Sequence, residues 1–302
     1  MVNITHKSNS HRTAIAQATL SVGSQNTIDA ILNKTVPKGD VFEMAKTAGL
    51  FGVKRTSDLI PDCHPLPIEY TQIRYEIKDL DIFIFVEVQT IYKTGVEVEA
   101  MHGASIVALT MYDMLKPIDK KIKIKDIFLV EKRGGKSDFI QVKSNLRASV
   151  IVCSDSISKG EKVDFSGKTI RARLEKLEIS ISDFSVLPDD IDAIQTKLKE
   201  NLSNKIDIII LTGGTGLSPR DITPEAVRPF IEKEIPGLME YSRNYGQNRM
   251  PLAFLSRGIA GMNGNSLILT FPGSNNAVNE CMDALFPHVL HVFNVIEGKR
   301  HD

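Results

Sequence analysis

The sequence predicts two domains in tandem: an α+β domain with one helical layer on an antiparallel sheet, then an α/β/α domain with a mostly parallel sheet. Three observations carry this. At 302 residues the chain is long for one core, and two domains of about 150 residues are expected. The first half holds runs that alternate apolar and polar residues (YTQIRYEI, IFIFVEVQTIY and KIKIKDIFLV), the pattern of strands covered on one face. The second half holds continuous apolar runs (ASVIVC, IDIIILT and SLILT) separated by helical segments, the pattern of strands buried on both faces. The change falls at SNLR, which sets boundaries of 1–143 and 148–302 around a linker at 144–147.

Composition narrows the classes. Lys plus Arg equals Asp plus Glu at 37 each, which argues against a broad electrostatic hold on nucleic acid or an anionic membrane. No run approaches membrane-spanning length, and the opening MVNITHKSNSHR lacks the apolar stretch of a signal peptide. Cys63, Cys153 and Cys281 show no CxxC spacing and leave one thiol over in any disulfide scheme. Reduced cysteines in the cytoplasm are expected.

Taken in order, AIAQATLSV within the first 25 or so residues is expected to supply an edge strand. Thr27 to Asn33 reads as a helix, and VPKGD then opens a second with Asp40 as N-cap. The small residues Ala45, Ala48, Gly49 and Gly52 allow that second helix to pack closely. It ends in KRTSDLIPDCHPL, where Pro61, Pro65 and Pro67 forbid continuation. After the first two strands, Glu97 and Glu99 alternate with Val96 and Val98 in what reads as a short extended run after Gly95. A helix follows from Ala104 to Lys116, with Ala104, Val107, Ala108, Met111, Met114 and Leu115 on one stripe. Ile106 and Leu109 lie on the other side with Asp113 and Lys116. A helix apolar nearly all round is expected to be covered nearly all round, which would partly enclose that charged pair.

In the second half, the strand ASVIVC leads through SDSISKGEKVDFSGKTI into a helix at 168–177. A strand at ISDFSVL, a helix at 191–201 and the strand IDIIILT follow, and the last runs into GGTGLSPRDITPEA. Ligands of such sheets bind beyond the carboxyl ends of the strands. Ser154-Asp155, Leu187 to Asp190, Gly213 to Asp221 and Phe271 to Ser274 are all placed there by this register.

Each polar candidate has a structural alternative. Asp113 and Lys116 can be a structural ion pair. Lys38 and Lys136 can be solvated loop charges, and Cys63-His64 can be packing, since one Cys and one His without partners at ligand spacing make no zinc site. Cationic loops around an enclosed Asp–Lys pair better fit acid–base chemistry on a phosphorylated small molecule. In the second half, Gly213, Gly214 and Gly216 let backbone N–H groups turn toward an anion, although a tight packing turn has the same composition. Asp189 and Asp221 beside it fit a magnesium ion bridging phosphate oxygens; Asp189 can instead cap the following helix.

KGDVFEMAKTAGLFGVKRTSDLIPDCHPL, KTGVEVEAMHGASIVALTMYDMLK and GGKS closely resemble the cyclic pyranopterin monophosphate synthase (MoaC) family over residues 1–143. The resemblance implies a ferredoxin-like α+β fold, a hexameric assembly with sites between subunits, and conversion of 3′,8-cyclo-7,8-dihydro-GTP to cyclic pyranopterin monophosphate with release of pyrophosphate. It implies Asp113 as the catalytic carboxylate, Lys116 and Lys38 beside it, Asp62, Cys63, His64, Val98 and Glu99 lining the substrate pocket, and Lys54 and Lys132 facing phosphates. It implies no tightly bound cofactor. Asn3 stands where that family has Asp, and Asp62 where an apolar residue precedes Cys-His.

TGGTGLSPRDITPEA, with SDS, DFSG, LPDD, PGLMEYSR and LSRGIAGMNGNSLILTFPGSNNAVNECMDALFPH, resembles the MoaB/MogA family over 148–302. That resemblance implies a trimer-based assembly and transfer of AMP from Mg-ATP to molybdopterin. Asp189 and Asp221 would be the magnesium-linked carboxylates, while Gly213, Gly214, Thr215, Gly216 and Ser274 hold phosphate or pterin. Ser156 stands where many members carry Arg. Together the two imply a bifunctional enzyme of molybdenum cofactor biosynthesis acting on pterin and nucleotide substrates. The alternative for the second half is a non-catalytic pterin-binding or assembly module.

Overall fold

The computed structural model describes residues 1–135 and 145–298, which form two compact units, one on each side of the intervening segment. Lys136 and Ser144, named above, lie outside the described residues.

The N-terminal unit runs β1 (Ser10–Ser21), α1 (Gln25–Leu32), α2 (Val41–Lys54), the short α3 (Thr56–Leu59), β2 (Tyr70–Lys78), β3 (Asp81–Tyr92), α4 (Glu97–Leu115) and β4 (Lys123–Arg133). The sheet order is β2-β3-β1-β4, antiparallel throughout. β1 is therefore central, not an edge strand as its loose alternation suggests. Its ladder reaches β3 from Ser10↔Tyr92 to Ser21↔Asp81 and β4 from Thr13↔Arg133 to Ser21↔Lys123. The reason lies on one face: Ala14, Ala16, Ala18 and Leu20 are fully buried. Small side chains in the middle of the sheet leave room for a helix to lie close over it.

That helix is α4, and it begins at Glu97, not at Ala104. Residues 97–99 form its first turn rather than an extended run. Two carboxylates in a first turn are favoured by the helix dipole, and an alternation of four residues is too short to separate a strand from a helical turn. The expected stripe from Ala104 to Leu115 is buried. α2, whose N-cap Asp40 accepts from Glu43 N, packs on α4 through glycines. A Cβ on Gly49 would lie 2.4 Å from Val107 Cγ2, and one on Gly103 2.5 Å from Val53 Cγ2. The buried carboxylate of Asp119 ties three elements together. It accepts from Gly23 N after β1 (2.6 Å), Thr27 Oγ1 in α1 (2.9 Å) and Lys121 N before β4 (2.8 Å).

The C-terminal unit runs β5 (Arg147–Cys153), α5 (Asp155–Ser158), α6 (Ser166–Glu175), β6 (Ser180–Leu187), α7 (Ile191–Ser203), β7 (Ile208–Thr212), α8 (Thr223–Val227), β8 (Lys233–Glu234), α9 (Pro236–Gln247), β9 (Ala260–Asn263), β10 (Ser266–Phe271), α10 (Asn275–Leu285) and α11 (Val292–Ile296). The order is β6-β5-β7-β10-β9-β8. β6, β5, β7 and β10 are parallel, and β9 and β8 extend the sheet antiparallel. The reversal is local: only Gly264 and Asn265 separate β9 from β10, with Gly264 at φ +53°. A two-residue connection can join only antiparallel neighbours.

Both sheet faces are covered, which explains the unbroken apolar strands. Val150, Ile208, Ile210, Leu267 and Leu269 point into a core with α6, α9 and α10. Ile151, Ile209, Leu211 and Ile268 point into the opposite core with α7 and α8. The four parallel strands consequently deliver Ser154, Asp189, Gly213 and Gly273 to one edge of the sheet.

Candidate active sites

In the N-terminal unit, Asp113 lies near the end of α4 with a lysine on each side. Lys38, from the turn before α2, places Nζ 2.6 Å from Asp113 Oδ2 and 2.9 Å from its backbone carbonyl. Lys116 places Nζ 2.7 Å from Oδ1. Gly39 at φ +99° makes the turn that carries Lys38 there. The hydrogen bond from Lys116, and then that from Lys38, hold the Asp113 carboxyl down at about 2. The cluster is not enclosed within this chain, contrary to the expectation from the helix pattern. The side chains of Lys38, Asp113 and Lys116 are 39%, 52% and 54% exposed. Leu109 is 57% exposed on the same flank of α4. Ile106 on that side packs against α2, where a Cβ on Gly52 would lie 2.9 Å from Ile106 Cγ1, so among the described residues it is Leu109 that is left uncovered.

The second group of predicted residues gathers at the opposite end of α4. Cys63 Sγ donates to Glu99 Oε1 at 3.0 Å. Burial, then the contact with Glu99, pushes the thiol up to about 12. Burial also raises the carboxyl of Glu99, which is only 3% exposed. His64 Nε2 is 2.8 Å from the Val2 carbonyl, and Val98 is 43% exposed. Asp62 points outward, with Oδ1 2.8 Å from the Met1 amine and a side chain 89% exposed. Lys132 Nζ lies 3.5 Å from Glu97, and Lys54 is exposed in the last turn of α2. Asn3 Oδ1 accepts from Thr5 N and Oγ1, a local turn. Glu99 and Asp113 are fourteen residues apart on one helix, roughly 21 Å at 1.5 Å per residue. One chain therefore does not bring the two groups together.

In the C-terminal unit the glycine turn leaves β7. Gly213 (φ +101°) and Gly214 (φ +62°) sit where L side chains are strained. A Cβ on Gly213 would also meet the Cys153 carbonyl at 2.1 Å, and one on Gly214 would meet Thr223 Oγ1 at 2.3 Å. Gly273 packs against this turn, its Cβ position 3.2 Å from Gly213 Cα. Ser274 caps α10 by accepting from Ala277 N. Arg257 braces the far side, donating to the carbonyls of Gly216 (2.6 Å) and Asp221 (2.5 Å) and to Glu225.

Two carboxylates flank the turn. Asp221 Oδ2 accepts from Ser218 N at 2.8 Å and lies 2.8 Å from the Cβ position of Gly216. Asp189 exchanges hydrogen bonds with Asp155 across the ends of β5 and β6, Oδ2 from Asp155 N (3.1 Å) and N to Asp155 Oδ1 (3.2 Å). It is not the cap of α7. That role belongs to Asp190, which accepts from Ala193 N. Asp189 Oδ1 is buried without a hydrogen-bond partner among the described residues, 3.3 Å from the Cβ position of Gly214. Burial raises this carboxyl, the hydrogen bond from Asp155 works against it, and the charges of Asp155 and Asp221 add to the rise. Ser156 Oγ lies 3.2 Å from Ser154 Oγ.

Among the described residues no group of three or more His, Cys, Asp or Glu side chains is placed to hold a metal ion. Magnesium needs less: one or two carboxylates, with phosphate and water oxygens completing the shell. Asp189 Oδ1, beside the glycine turn and without a hydrogen-bond partner among the described residues, fits that requirement.

From the turn a cavity of about 560 Å³ opens toward α9 and α10, lined among others by Ser242, Arg243, Arg249 and Glu280. It has the size of a small-molecule site. None of the motifs above assigns these residues a role. A trace of them was present in the i, i+3, i+4 spacing of Ala277, Glu280 and Cys281, where a carboxylate interrupts an otherwise small or apolar stripe.

Comparisons with known proteins give the family. Residues 1–135 match the MoaC family, and residues 149–291 match the family described as a probable molybdopterin binding domain. A molybdenum cofactor biosynthesis bifunctional protein of Chlorobaculum tepidum is 36% identical over 301 residues, covering 100% of this chain and 96% of that protein. One of Synechococcus elongatus is 33% identical over 315 residues, covering 100% and 98%. A cyclic pyranopterin monophosphate synthase of Nitratidesulfovibrio vulgaris is 47% identical over 139 residues, 45% of this chain and 86% of that one. A solved MoaB structure from a Thermus species is 35% identical, with a TM-score of 0.48, over 52% of this chain and 99% of that one. Two unlike units, one with a lysine–aspartate cluster and one with a glycine-turn cavity, thus define a two-domain protein of molybdenum cofactor biosynthesis. The chain belongs to the family of bifunctional molybdenum cofactor biosynthesis proteins, with a MoaC domain followed by a MoaB/MogA-type domain.

Proposed function

We propose that the N-terminal unit converts 3′,8-cyclo-7,8-dihydro-GTP to cyclic pyranopterin monophosphate with loss of pyrophosphate, and that the C-terminal unit transfers AMP from ATP to molybdopterin. The Lys38–Asp113–Lys116 cluster supports the first assignment. Two ammonium groups beside one carboxylate leave net positive charge for phosphate oxygens. As an anionic substrate draws the lysines away, the carboxyl rises toward a range useful for proton transfer. Lys54 and Lys132 are further cations for phosphates, and Asp62, Cys63, His64, Val98 and Glu99 line the pocket for the heterocycle. The order β-α-β-β-α-β and the sheet order β2-β3-β1-β4 support a ferredoxin-like description of this unit.

The separation of roughly 21 Å along α4 supports a site shared between copies of the chain, with the Asp113 end of one facing the Glu99 end of another. The exposed apolar flank around Leu109 supports the same assembly. In the C-terminal unit, Asp189 and Asp221 would hold magnesium, which when bound neutralises phosphate charge. The N–H groups of Gly213, Gly214, Thr215 and Gly216, with Ser274, would hold phosphate or pterin oxygens. Asp189 Oδ1, buried beside the glycine turn with no hydrogen-bond partner among the described residues, favours this over a purely structural turn.

The test is a paired assay on the purified full chain. Cyclised dihydro-GTP should release pyrophosphate and give the cyclic phosphate product. Molybdopterin with Mg-ATP should give an adenylylated product. Absence of the first product refutes the synthase assignment. Tight pterin binding without AMP transfer would make the second unit a binding module instead.

A further inference from the structure

The cavity of the C-terminal unit has a second polar end that the catalytic reading leaves unused. α10 supplies both ends. Its N-terminus, capped by Ser274 and beside Gly273, favours an anion. Ala277, Glu280 and Cys281 face the same cavity further along the helix. Glu280 lies six residues beyond Ser274, roughly 9 Å along the axis at 1.5 Å per residue.

The Glu280 side chain is partly buried, with Oε2 3.3 Å from the Cβ position of Gly246. Among the described residues its carboxylate makes no hydrogen bond and no ion pair. Burial raises its carboxyl above the ordinary value, the Arg249 guanidinium works the other way, and the Asp283 charge adds to the rise. Both oxygens stay accessible from the cavity, where the donors of a ligand can meet them.

We propose that Glu280 reads the 2-amino-4-oxopyrimidine edge of a pterin, accepting from ring N3–H and from the exocyclic amine while the ligand's phosphate sits at the α10 N-terminus. The proposal rests on the pterin reading of this unit. A carboxylate presents two acceptor oxygens in parallel, which matches two adjacent N–H donors. The corresponding edge of a 2-oxo heterocycle (a lumazine) turns a lone pair toward the carboxylate and is rejected. The pairing edge of adenine offers one donor beside one acceptor, so Glu280 also separates the pterin from the base of ATP.

The test is a fluorescence titration of the full chain with 6-hydroxymethylpterin monophosphate and with its lumazine counterpart. The parent chain carries Lys38→Ala and Lys116→Ala, which weaken the N-terminal phosphate site so that the second unit reports. The parent should bind the pterin about 30-fold tighter than the lumazine, the scale of a hydrogen bond to a charged group. Glu280→Gln, which offers a donor where an acceptor stood, should erase or invert that preference. Equal binding of both ligands to the parent, or an unchanged preference in Glu280→Gln, overturns the proposal. If the parent binds neither ligand, the pterin reading of the unit falls and this proposal with it. Should Glu280→Gln fail to fold by circular dichroism, Glu280→Asp replaces it. Withdrawing the carboxylate by one methylene should weaken pterin binding about tenfold, and parent-like affinity would overturn the assignment.

Discussion

At the scale of single residues, Asp113 carries the heaviest assignment. Its carboxyl is held at about 2 by Lys116 and Lys38, below the ordinary carboxylate value of about 3.9. Because the folded value is depressed, the ion pairs contribute above the ordinary value and are lost as pH falls from about 4 through about 2. An acid limb of kcat/KM near pH 6 should therefore not come from Asp113 in the free protein. A limb there that disappears in Asp113→Asn would contradict this. The same substitution should lower turnover of the first reaction at least ~100-fold, the scale of a lost acid–base group, with circular dichroism unchanged. Cys63 gives a second residue-scale prediction. Among the described residues Cys63 and His64 belong to no group of three or more His, Cys, Asp or Glu side chains placed to hold a metal ion, so the pair lacks the ligands of a zinc site. Elemental analysis should find no stoichiometric zinc, and chelators should leave the first reaction intact. One tightly bound zinc per chain that depends on His64 would overturn that assignment.

At the scale of elements, Asp119 shows how a loop carboxylate fixes a layer. Burial pushes its carboxyl up, but the hydrogen bonds from Lys121 N, Gly23 N and Thr27 Oγ1 together hold it below its ordinary value. Its stabilisation is therefore present above about pH 4 and is lost as pH falls through the folded value. Asp119→Ala leaves backbone donors of two elements unpaired and should cost on the order of 2 kcal/mol, read from urea unfolding of the N-terminal unit. A loss below about 0.5 kcal/mol would show that water replaces the carboxylate. Much of the element order was legible, because periods of two and of 3.6 residues report which faces are buried. The failures were those of neighbours. Whether AIAQATLSV is central or at an edge depends on β3 and β4, which local alternation does not encode. The start of α4 was masked by a short alternation at Glu97 to Glu99. Asp190 as the cap of α7 left Asp189 available, a distinction that two adjacent aspartates hide from sequence.

At the scale of the whole chain, the central claim is that two chemically independent sites share one polypeptide. Each unit has its own hydrophobic core and its own polar constellation. The candidate residues were legible because charge and glycine were concentrated in loops. Their grouping was not, because Glu99 and Asp113 gather at opposite ends of one helix and Glu280 enters its cavity from an ordinary-looking α10. The most direct measurement assays both reactions on Asp113→Asn and on Asp221→Ala in correctly assembled full-length protein. Asp113→Asn should abolish pyranopterin formation and leave AMP transfer within about two-fold, and Asp221→Ala should do the reverse, as expected for uncoupled sites. If either substitution disables both reactions, the two sites are not independent and the account is wrong.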